Sequence, residues 1–115
     1  MLVVDDDEMI RRLVRTVLEA DDFSVVEASD GEQALGMIDE LKPSVVVLDV
    51  MMPGINGVEV CRRLDHENVK VVILTARDDA TLADECMAVG ADAFLTKPFS
   101  SIQLLDLVEE LMVAH

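Results

Sequence analysis

The apolar residues of this chain fall into two alternating kinds of segment. Five short runs of Val, Leu, Ile and Ala predict β-strands, and the segments between them carry apolar residues three or four positions apart, as amphipathic helices do. The runs begin near residues 2, 24, 45, 71 and 91. Because a helix separates each pair of runs, the pattern predicts a parallel α/β sheet covered by helices on both faces.

The third run, residues 45–48, contains four consecutive aliphatic residues and leads directly into Asp49. A strand with one wet face would alternate apolar and polar residues, so this run predicts a strand buried on both faces. The second run, residues 24–28, includes Glu27 and suits the edge of a sheet. With right-handed crossovers, these features favour a flavodoxin-like doubly wound fold with five helices and strand order 2-1-3-4-5.

Capping signals mark the ends of several helices, namely Asp30 with Gln33, Ser100 with Gln103, and Gly90 as a left-handed C-terminal cap. The third helix is predicted to begin at Asn56 and the fourth near Asp79. Leu13 and Leu41 lie at helical spacing from other aliphatic residues and are expected to face inward.

Composition and charge narrow the function classes. At 115 residues the chain is expected to be one domain. Its formal net charge of −15 repels phosphate backbones and anionic lipid, which argues against direct nucleic-acid or membrane binding. No apolar run approaches the ~20 residues that span a bilayer, so a cytoplasmic protein is expected. Cys61 and Cys86 are too few for a disulfide framework and are expected to be reduced, buried or half-buried thiols.

Polar residues follow most of the predicted strands. Strand one ends in Asp5, Asp6 and Asp7, strand three in Asp49, strand four in Thr75 and Ala76, and strand five in Lys97 and Pro98. In open parallel sheets, ligands bind beyond the carboxyl ends of the strands, where strand order reverses. Gathered carboxylates repel one another, so the site must bind a cation, take up protons or do both, and oxygen ligands suit Mg²⁺. A lysine and a hydroxyl group suit phosphoryl oxygens, so the edge is expected to hold Mg²⁺ and a phosphoryl group against Asp49.

Each of these residues also has an ordinary structural interpretation. Acidic residues 5–8 could favour a helix N-terminus, Thr75 could end a strand, and Lys97 could be a surface lysine. Any one of them alone would be a weak signal. Four strand ends with complementary groups at one edge of a sheet favour a functional site.

Four motifs carry a resemblance to a known family, namely LVVDDD at residues 2–7, VVVLDVMMPGING at 45–57, VVILTA at 71–76 and GADAFLTKPF at 90–99. Together they resemble the receiver domain of two-component response regulators over essentially the whole chain. The resemblance implies a single receiver domain over residues 1–115, and the abrupt start of the first strand leads us to expect a piece of a longer regulator.

The resemblance also implies roles for individual residues. Asp49 is expected to be the phospho-acceptor. The expected Mg²⁺ ligands are Asp6, Asp49, the backbone carbonyl of Met51 and, through water, Asp5. Thr75, Lys97 and the backbone N–H of Ala76 are expected to contact the phosphoryl oxygens, and the Lys97-Pro98 bond is expected to be cis. Thr75 and Phe94 would form the switch that reshapes the face of helix four, strand five and helix five; because Phe94 lacks a hydroxyl, its inward rotamer is expected even without phosphate.

The implied phosphodonor is a sensor histidine kinase or a histidine phosphotransfer protein. Arg11, Arg12 and Arg15 lie on the first helix, where the family docks its donors, and are either a docking surface or a solvated face. Residues 99–115 contain no Lys or Arg, which argues against the dimer that related regulators build from charge pairs on the last helix. A phosphorylation-dependent dimer of another kind, and a tethered or a separate output domain, stay open.

Two other function classes share part of this chemistry. A haloacid-dehalogenase-type phosphatase also uses an aspartate, a threonine and a lysine with Mg²⁺, but its nucleophile follows strand one in Asp-x-Asp-x-Thr/Val; here Met9 fills the last place, and no cap domain fits the length. A binding module that has lost phosphorylation would lack one of the site residues, and all are present. The expected function is therefore a signalling domain that catalyses only its own phosphorylation and slow dephosphorylation.

Overall fold

A five-stranded parallel sheet with helices on both faces organises the chain. The computed structural model describes residues 1–50, 57–76 and 80–113. The strands are β1 (Leu2–Val4), β2 (Val26–Ala28), β3 (Val45–Asp49), β4 (Lys70–Ala76) and β5 (Ala93–Lys97); the helices are α1 (Glu8–Ala20), α2 (Gly31–Leu41), α3 (Gly57–Arg63), α4 (Ala80–Ala88) and α5 (Ser101–Val113). The order β2-β1-β3-β4-β5 confirms the predicted flavodoxin-like topology, with β2 at an edge.

The sheet separates two hydrophobic clusters. Successive side chains of a strand point to opposite faces, so Leu2 and Val4 pack with α2, α3 and α4, whereas Val3 packs with α1 and α5. Strands β3 and β4 divide between the clusters in the same alternating way. Every residue of β3 is buried, which confirms the expectation of a strand covered on both faces.

The predicted helix caps are present. The Asp30 side chain accepts a hydrogen bond from the Gln33 N–H at 2.8 Å. Ser100 and Gln103 form a reciprocal capping box, with bonds of 2.9 and 3.1 Å. Gly90 has φ +118°, the left-handed conformation expected after α4. The predicted starts of α3 at Asn56 and of α4 near Asp79 lie outside the described residues.

Strand β5 begins two residues later than the sequence pattern suggested. The N–H of Ala91 donates to the carbonyl of Cys86 at 3.0 Å, so Ala91 completes the cap of α4. The Asp92 carboxylate accepts a hydrogen bond from the N–H of Val71 at 2.7 Å, at the start of the neighbouring strand. Regular pairing therefore starts at Ala93 and continues to Lys97.

Strand β2 is also shorter than predicted, because the carbonyl of Ser24 accepts a hydrogen bond from the N-terminal ammonium at 2.7 Å and pairing begins at Val26. The prediction that Leu13 and Leu41 face inward was wrong, since they are 46% and 51% exposed. Leu41 ends α2, and Leu13 lies beside the buried Val14 on the outer side of α1. None of the helices in the described ranges is both long and apolar enough to cross a bilayer.

Candidate functional site

The carboxyl ends of the strands bring the predicted site residues to one edge of the sheet. Val4 of β1 pairs with Leu48 of β3, so the next residues along the chain, Asp5 and Asp49, are neighbours at the centre of the sheet. Ala76 pairs with Lys97 at the ends of β4 and β5. The register thus places residues from four strand ends beside the point where strand order reverses, as predicted.

The site contains the buried polar side chains of the described core. Asp5 is 0% exposed, Asp49 5% and Thr75 2%. A buried carboxylate is costly unless a cation or several donors face it. Lys97 supplies that cation, because its Nζ lies 3.0 Å from Asp5 Oδ2 and 3.6 Å from Asp49 Oδ1.

The charge of Lys97 is matched to these carboxylates. Partial burial lowers the pKa of Lys97, but the hydrogen bond to Asp5 and the charges of Asp49 and Asp5 outweigh burial and hold its pKa above the ordinary value. Lys97 therefore remains an ammonium group under neutral conditions. It reaches from the end of β5, two strands away from β3, and bridges the ends of β1 and β3. The Lys97-Pro98 peptide bond is cis, as the resemblance implied.

The three consecutive aspartates have three different environments. Asp5 is held from two sides: its Oδ1 accepts from the Asp7 N–H at 2.9 Å, and its carbonyl accepts from Arg11 Nη1 at 2.7 Å. Asp7 caps α1 by accepting from the Met9 N–H at 2.9 Å. The ordinary helix-capping interpretation of the acidic run is thus correct for Asp7, whereas Asp6 is exposed and has a carboxylate oxygen close to those of Asp5 and Asp49.

Three carboxylates of the site are close enough to share one cation. One oxygen each of Asp5, Asp6 and Asp49 lie within 4.8 Å of one another, which is the only such group of acidic, histidine or cysteine ligands among residues 1–50, 57–76 and 80–113. An all-oxygen donor set suits a hard divalent ion such as Mg²⁺. The residues present therefore fit the expected metal; the predicted fourth ligand, the carbonyl of Met51, lies outside the described residues.

The predicted switch residues lie on neighbouring strands. Thr75 Oγ1 is within 3.2 Å of the carbonyl oxygen of Ala76, to which it donates. Phe94 pairs with Ile73 across β4 and β5, and its side chain is 48% exposed. The inward rotamer expected for Phe94 without phosphate is therefore not the one observed: β5 is the last strand of the sheet, and the ring stays half exposed at that edge.

The arginines of α1 have a structural use that sequence reasoning missed. Arg11 Nε lies 3.1 Å from Glu27 Oε1, and Arg15 Nη1 lies 3.0 Å from Glu27 Oε2. These bonds lower the pKa of Glu27, chiefly through Arg15 and against a smaller opposing effect of burial. Arg12 is exposed and pairs with Glu8 one turn away. Two of the three arginines therefore fasten α1 to the edge strand β2.

An exposed apolar patch near the site was also missed. Met9 is 80% exposed and Ile102 71%, and Leu13 lies one turn after Met9. Met9 and Ile102 are in the first turns of α1 and α5, which pack on the same face of the sheet and begin at its carboxyl edge. The i, i+4 spacing of Met9 and Leu13, on a different face from Ile10 and Val14, was the available signal.

Comparisons with known proteins agree with this geometry. A sequence profile described as the response regulator receiver domain matches residues 1–109. Response regulator MprA of Mycolicibacterium vanbaalenii is 43% identical over 107 residues, covering 91% of this chain and 46% of MprA. The alkaline phosphatase synthesis transcriptional regulatory protein PhoP of Bacillus subtilis is 42% identical over 102 residues, covering 87% and 42%. The chain spans about half the length of these curated relatives.

Solved structures extend the likeness to the whole fold. The receiver domain of NtrX from Brucella abortus has a TM-score of 0.93 at 27% identity, covering 99% of this chain and 98% of that one. The Francisella response regulator 1452 receiver domain has a TM-score of 0.85 at 36% identity, covering 96% and 93%. Sequence profile, strand order and acidic edge lead to one conclusion: the chain belongs to the response regulator receiver domain family of two-component systems.

Proposed function

We propose that Asp49 accepts a phosphoryl group from the phosphohistidine of a sensor histidine kinase or a histidine phosphotransfer protein. The observation that carries this proposal is the position of Asp49: a buried carboxylate 3.6 Å from an ammonium group, within a cluster of three carboxylates. A carboxylate at this position is oriented for attack on phosphorus while Lys97 supplies positive charge. The chain catalyses only this transfer and the slow hydrolysis of the aspartyl phosphate to free Asp49 and inorganic phosphate, and it acts in the cytoplasm.

The other residues of the site have separate roles. Lys97 contacts phosphoryl oxygens, with Thr75 and the N–H of Ala76 as further donors. Asp6 and Asp49, with the Met51 carbonyl, hold Mg²⁺ directly, and Asp5 does so through water while keeping Lys97 in place. Mg²⁺, when bound, neutralises charge on the transferred oxygens.

The phosphodonor docks, in this proposal, on the apolar patch of Met9, Leu13 and Ile102. These side chains are exposed beside the carboxyl edge of the sheet, so a partner helix seated on them would present its histidine to Asp49. The arginine surface considered from the sequence is a weaker candidate, because Arg11 and Arg15 are paired with Glu27.

Output follows from a change at Thr75 and Phe94. When the Thr75 hydroxyl turns toward the phosphoryl group, the space it leaves admits the exposed Phe94 ring, which changes the surface formed by α4, β5 and α5.

The exposed acidic residues on that surface are Asp84, Glu85, Asp106, Glu109 and Glu110, and Asp78 and Asp79 lie outside the described residues. The partner or output domain that reads it is therefore expected to be basic, and its association is expected to slow as salt rises. This domain does not itself bind nucleic acid or membrane.

The test is phosphorylation with a small donor. Incubation with acetyl phosphate and Mg²⁺ should give one acid-stable, base-labile phosphoryl group per chain, and Asp49→Asn should abolish it. Asp22→Asn is the matched control, since Asp22 follows α1 at the opposite edge of the sheet and has φ +67°, which asparagine tolerates. Labelling that persists in Asp49→Asn, with phosphate on Asp5 or Asp6, would contradict the proposal and favour the phosphatase class.

A further inference from the structure

Two cysteines face each other between α3 and α4, on the face of the sheet away from α1 and α5. Cys61 and Cys86 are both free, both 0% exposed, and both part of the same hydrophobic cluster. The protonated Cys61 thiol donates to the carbonyl oxygen of Cys86 at 3.7 Å. The Cys61 sulfur therefore lies against the residue that carries the second thiol.

A histidine closes this site from the turn after α3. His66 Nε2 lies 2.7 Å from the carbonyl oxygen of Cys61, which can only accept, so Nε2 carries the proton and donates. The same nitrogen lies 4.0 Å from Cys61 Sγ. His66 Nδ1 is buried and has no hydrogen-bond partner among the described residues. The ring leans on Gly90, where an added Cβ would meet it at 2.7 Å.

The two thiols are chemically unequal. The pKa of Cys61 is lowered, chiefly because the Cys86 thiol donates to the Cys61 thiolate, with a smaller contribution from the Ala91 N–H; burial and the charge of Asp92 oppose this. The pKa of Cys86 is raised, because its proton is held by Cys61 and because it is buried. Cys61 also has the protonated Nε2 of His66 at 4.0 Å from its sulfur, and a nearby N–H donor favours the thiolate.

We propose that Cys61 and Cys86 form a redox-active dithiol that closes to an intrachain disulfide between α3 and α4 when the protein meets a peroxide. The Cys61 thiolate attacks one oxygen of hydrogen peroxide, the O–O bond breaks, and with one proton the products are Cys61 sulfenic acid and water. The Cys86 thiol then attacks the Cys61 sulfur, the S–O bond breaks, and a second water leaves with the thiol proton. The two thiols are oxidised and the peroxide is reduced.

A metal centre explains the cluster less well. Cys61, Cys86 and His66 offer soft and borderline ligands, but their ligand atoms do not all lie within 4.8 Å of one another, as the three aspartates do. A two-electron oxidation needs only the two sulfurs to approach. Since both sulfurs are buried, α3 and α4 must separate briefly for peroxide to enter, so the reaction is expected to be slow in the folded protein.

The disulfide would tie α4 to α3. In the proposed function, on which this step rests, α4 belongs to the face that changes on phosphorylation, so the oxidised domain would be held in one conformation of that face. The redox chemistry itself does not depend on Asp49. Asp49→Asn is therefore expected to form the disulfide at the wild-type rate, so that a failed phosphorylation assay and a failed redox assay can be told apart.

The experiment treats the reduced 115-residue chain with hydrogen peroxide, blocks remaining thiols with an alkylating reagent after denaturation, and maps the products by mass spectrometry. The expected product is a monomer that has lost two hydrogens, with Cys61 linked to Cys86. Its Tm should exceed that of the reduced chain by several degrees or more, roughly ten for an unstrained bond. Two thiols that both remain alkylatable, or crosslinks only between chains, would overturn the proposal.

Single variants assign the roles. Cys86→Ser should accumulate a sulfenic acid on Cys61 that dimedone traps. Cys61→Ser should leave Cys86 reduced under the same treatment, because burial raises the pKa of Cys86 and leaves little thiolate to react. His66→Gln should slow oxidation of Cys61 while leaving disulfide formation by the reagent diamide possible, which identifies His66 as a positioning residue. Equal trapping of Cys61 and Cys86 would contradict the assignment. If a serine variant does not fold, the wild-type disulfide map alone decides.

Discussion

A methyl group added to Gly57 should disturb the backbone that carries Asp49. Gly57 is the first residue of α3, and its N–H donates to the carbonyl oxygen of Val50 at 3.2 Å. A Cβ built on Gly57 would lie 2.5 Å from Val50 Cα and 2.8 Å from the carbonyl oxygen of Asp49, whereas ordinary contact begins at 3.4 Å. Both of these atoms belong to backbone, so no side chain can simply move aside, and residues 49 and 50 must retreat by nearly an ångström.

The magnitude follows from two opposing effects. Overpacking of this kind costs about 1–3 kcal/mol of the free energy of unfolding. Alanine forms helices better than glycine by up to about 1 kcal/mol, less at a helix start, so Gly57→Ala should lose about 1–2 kcal/mol in sum. Gly36→Ala is the matched control: it makes the same chemical change inside α2, with no atom within 4 Å of the new methyl, and should gain about 0.5–1 kcal/mol.

Urea unfolding measures both variants. The two should differ by about 1.5–3 kcal/mol, which corresponds to roughly 1 M in the unfolding midpoint and roughly 10 °C in Tm. A typical domain that loses about 2 kcal/mol remains mostly folded, so Gly57→Ala can also be assayed with acetyl phosphate, where it should be labelled more slowly than Gly36→Ala. Equal or greater stability of Gly57→Ala relative to wild type would refute the argument that the Asp49 backbone and α3 are packed without slack.

Two further predictions concern charge. Millimolar Mg²⁺ should raise the Tm of the wild type, because the ion binds only the folded state. Asp6→Ala should lose most of that rise, whereas Glu8→Ala, which removes an exposed acidic side chain nearby, should keep it. Equal stabilisation of the wild type and Asp6→Ala would place the ion elsewhere. Because the pKa of Glu27 is lowered from 4.5 on folding, its ion pairs stabilise the protein above pH 4.5 and lose this effect as pH falls through the folded pKa. Glu27→Gln should therefore cost up to about 1 kcal/mol at pH 7 and weaken the dependence of stability on pH below 4.5. An unchanged pH dependence in the variant would show that the ion pairs with Arg11 and Arg15 contribute nothing.

Strand order and the composition of the site could be predicted because both depend on local sequence. Buried parallel strands require unbroken aliphatic runs, and the register of parallel strands brings their carboxyl ends together whatever the helices do. The positions of Asp5, Asp49, Thr75 and Lys97 at one edge follow from those two facts. The limits of β5 could not be predicted, because a hydrogen bond from Ala91 to the end of α4 decides where pairing begins.

The predictions were wrong or incomplete where the position of a side chain depends on neighbours that the local sequence does not reveal. Leu13 and Leu41 satisfy the helical period, yet Leu13 lies on the outer side of α1 and Leu41 at the end of α2, and both remain half exposed. Arg11 and Arg15 look like a free cationic face until Glu27 is known to lie opposite them in β2. The exposure of Phe94 depends on how fully neighbouring elements cover the edge strand β5, and neither the predicted strand order nor the local pattern specifies that cover.

The division of the hydrophobic residues into two clusters has a consequence for how this domain can diverge. One layer, with α1 and α5, carries the exposed patch proposed for the phosphodonor; the other, with α2, α3 and α4, carries the two thiols. The sheet lies between the two layers, and its central strands contribute alternate residues to each side. Substitutions that change partner choice on one layer therefore need no repacking of the other, and each layer can acquire or lose a specificity independently while both keep the same acidic edge.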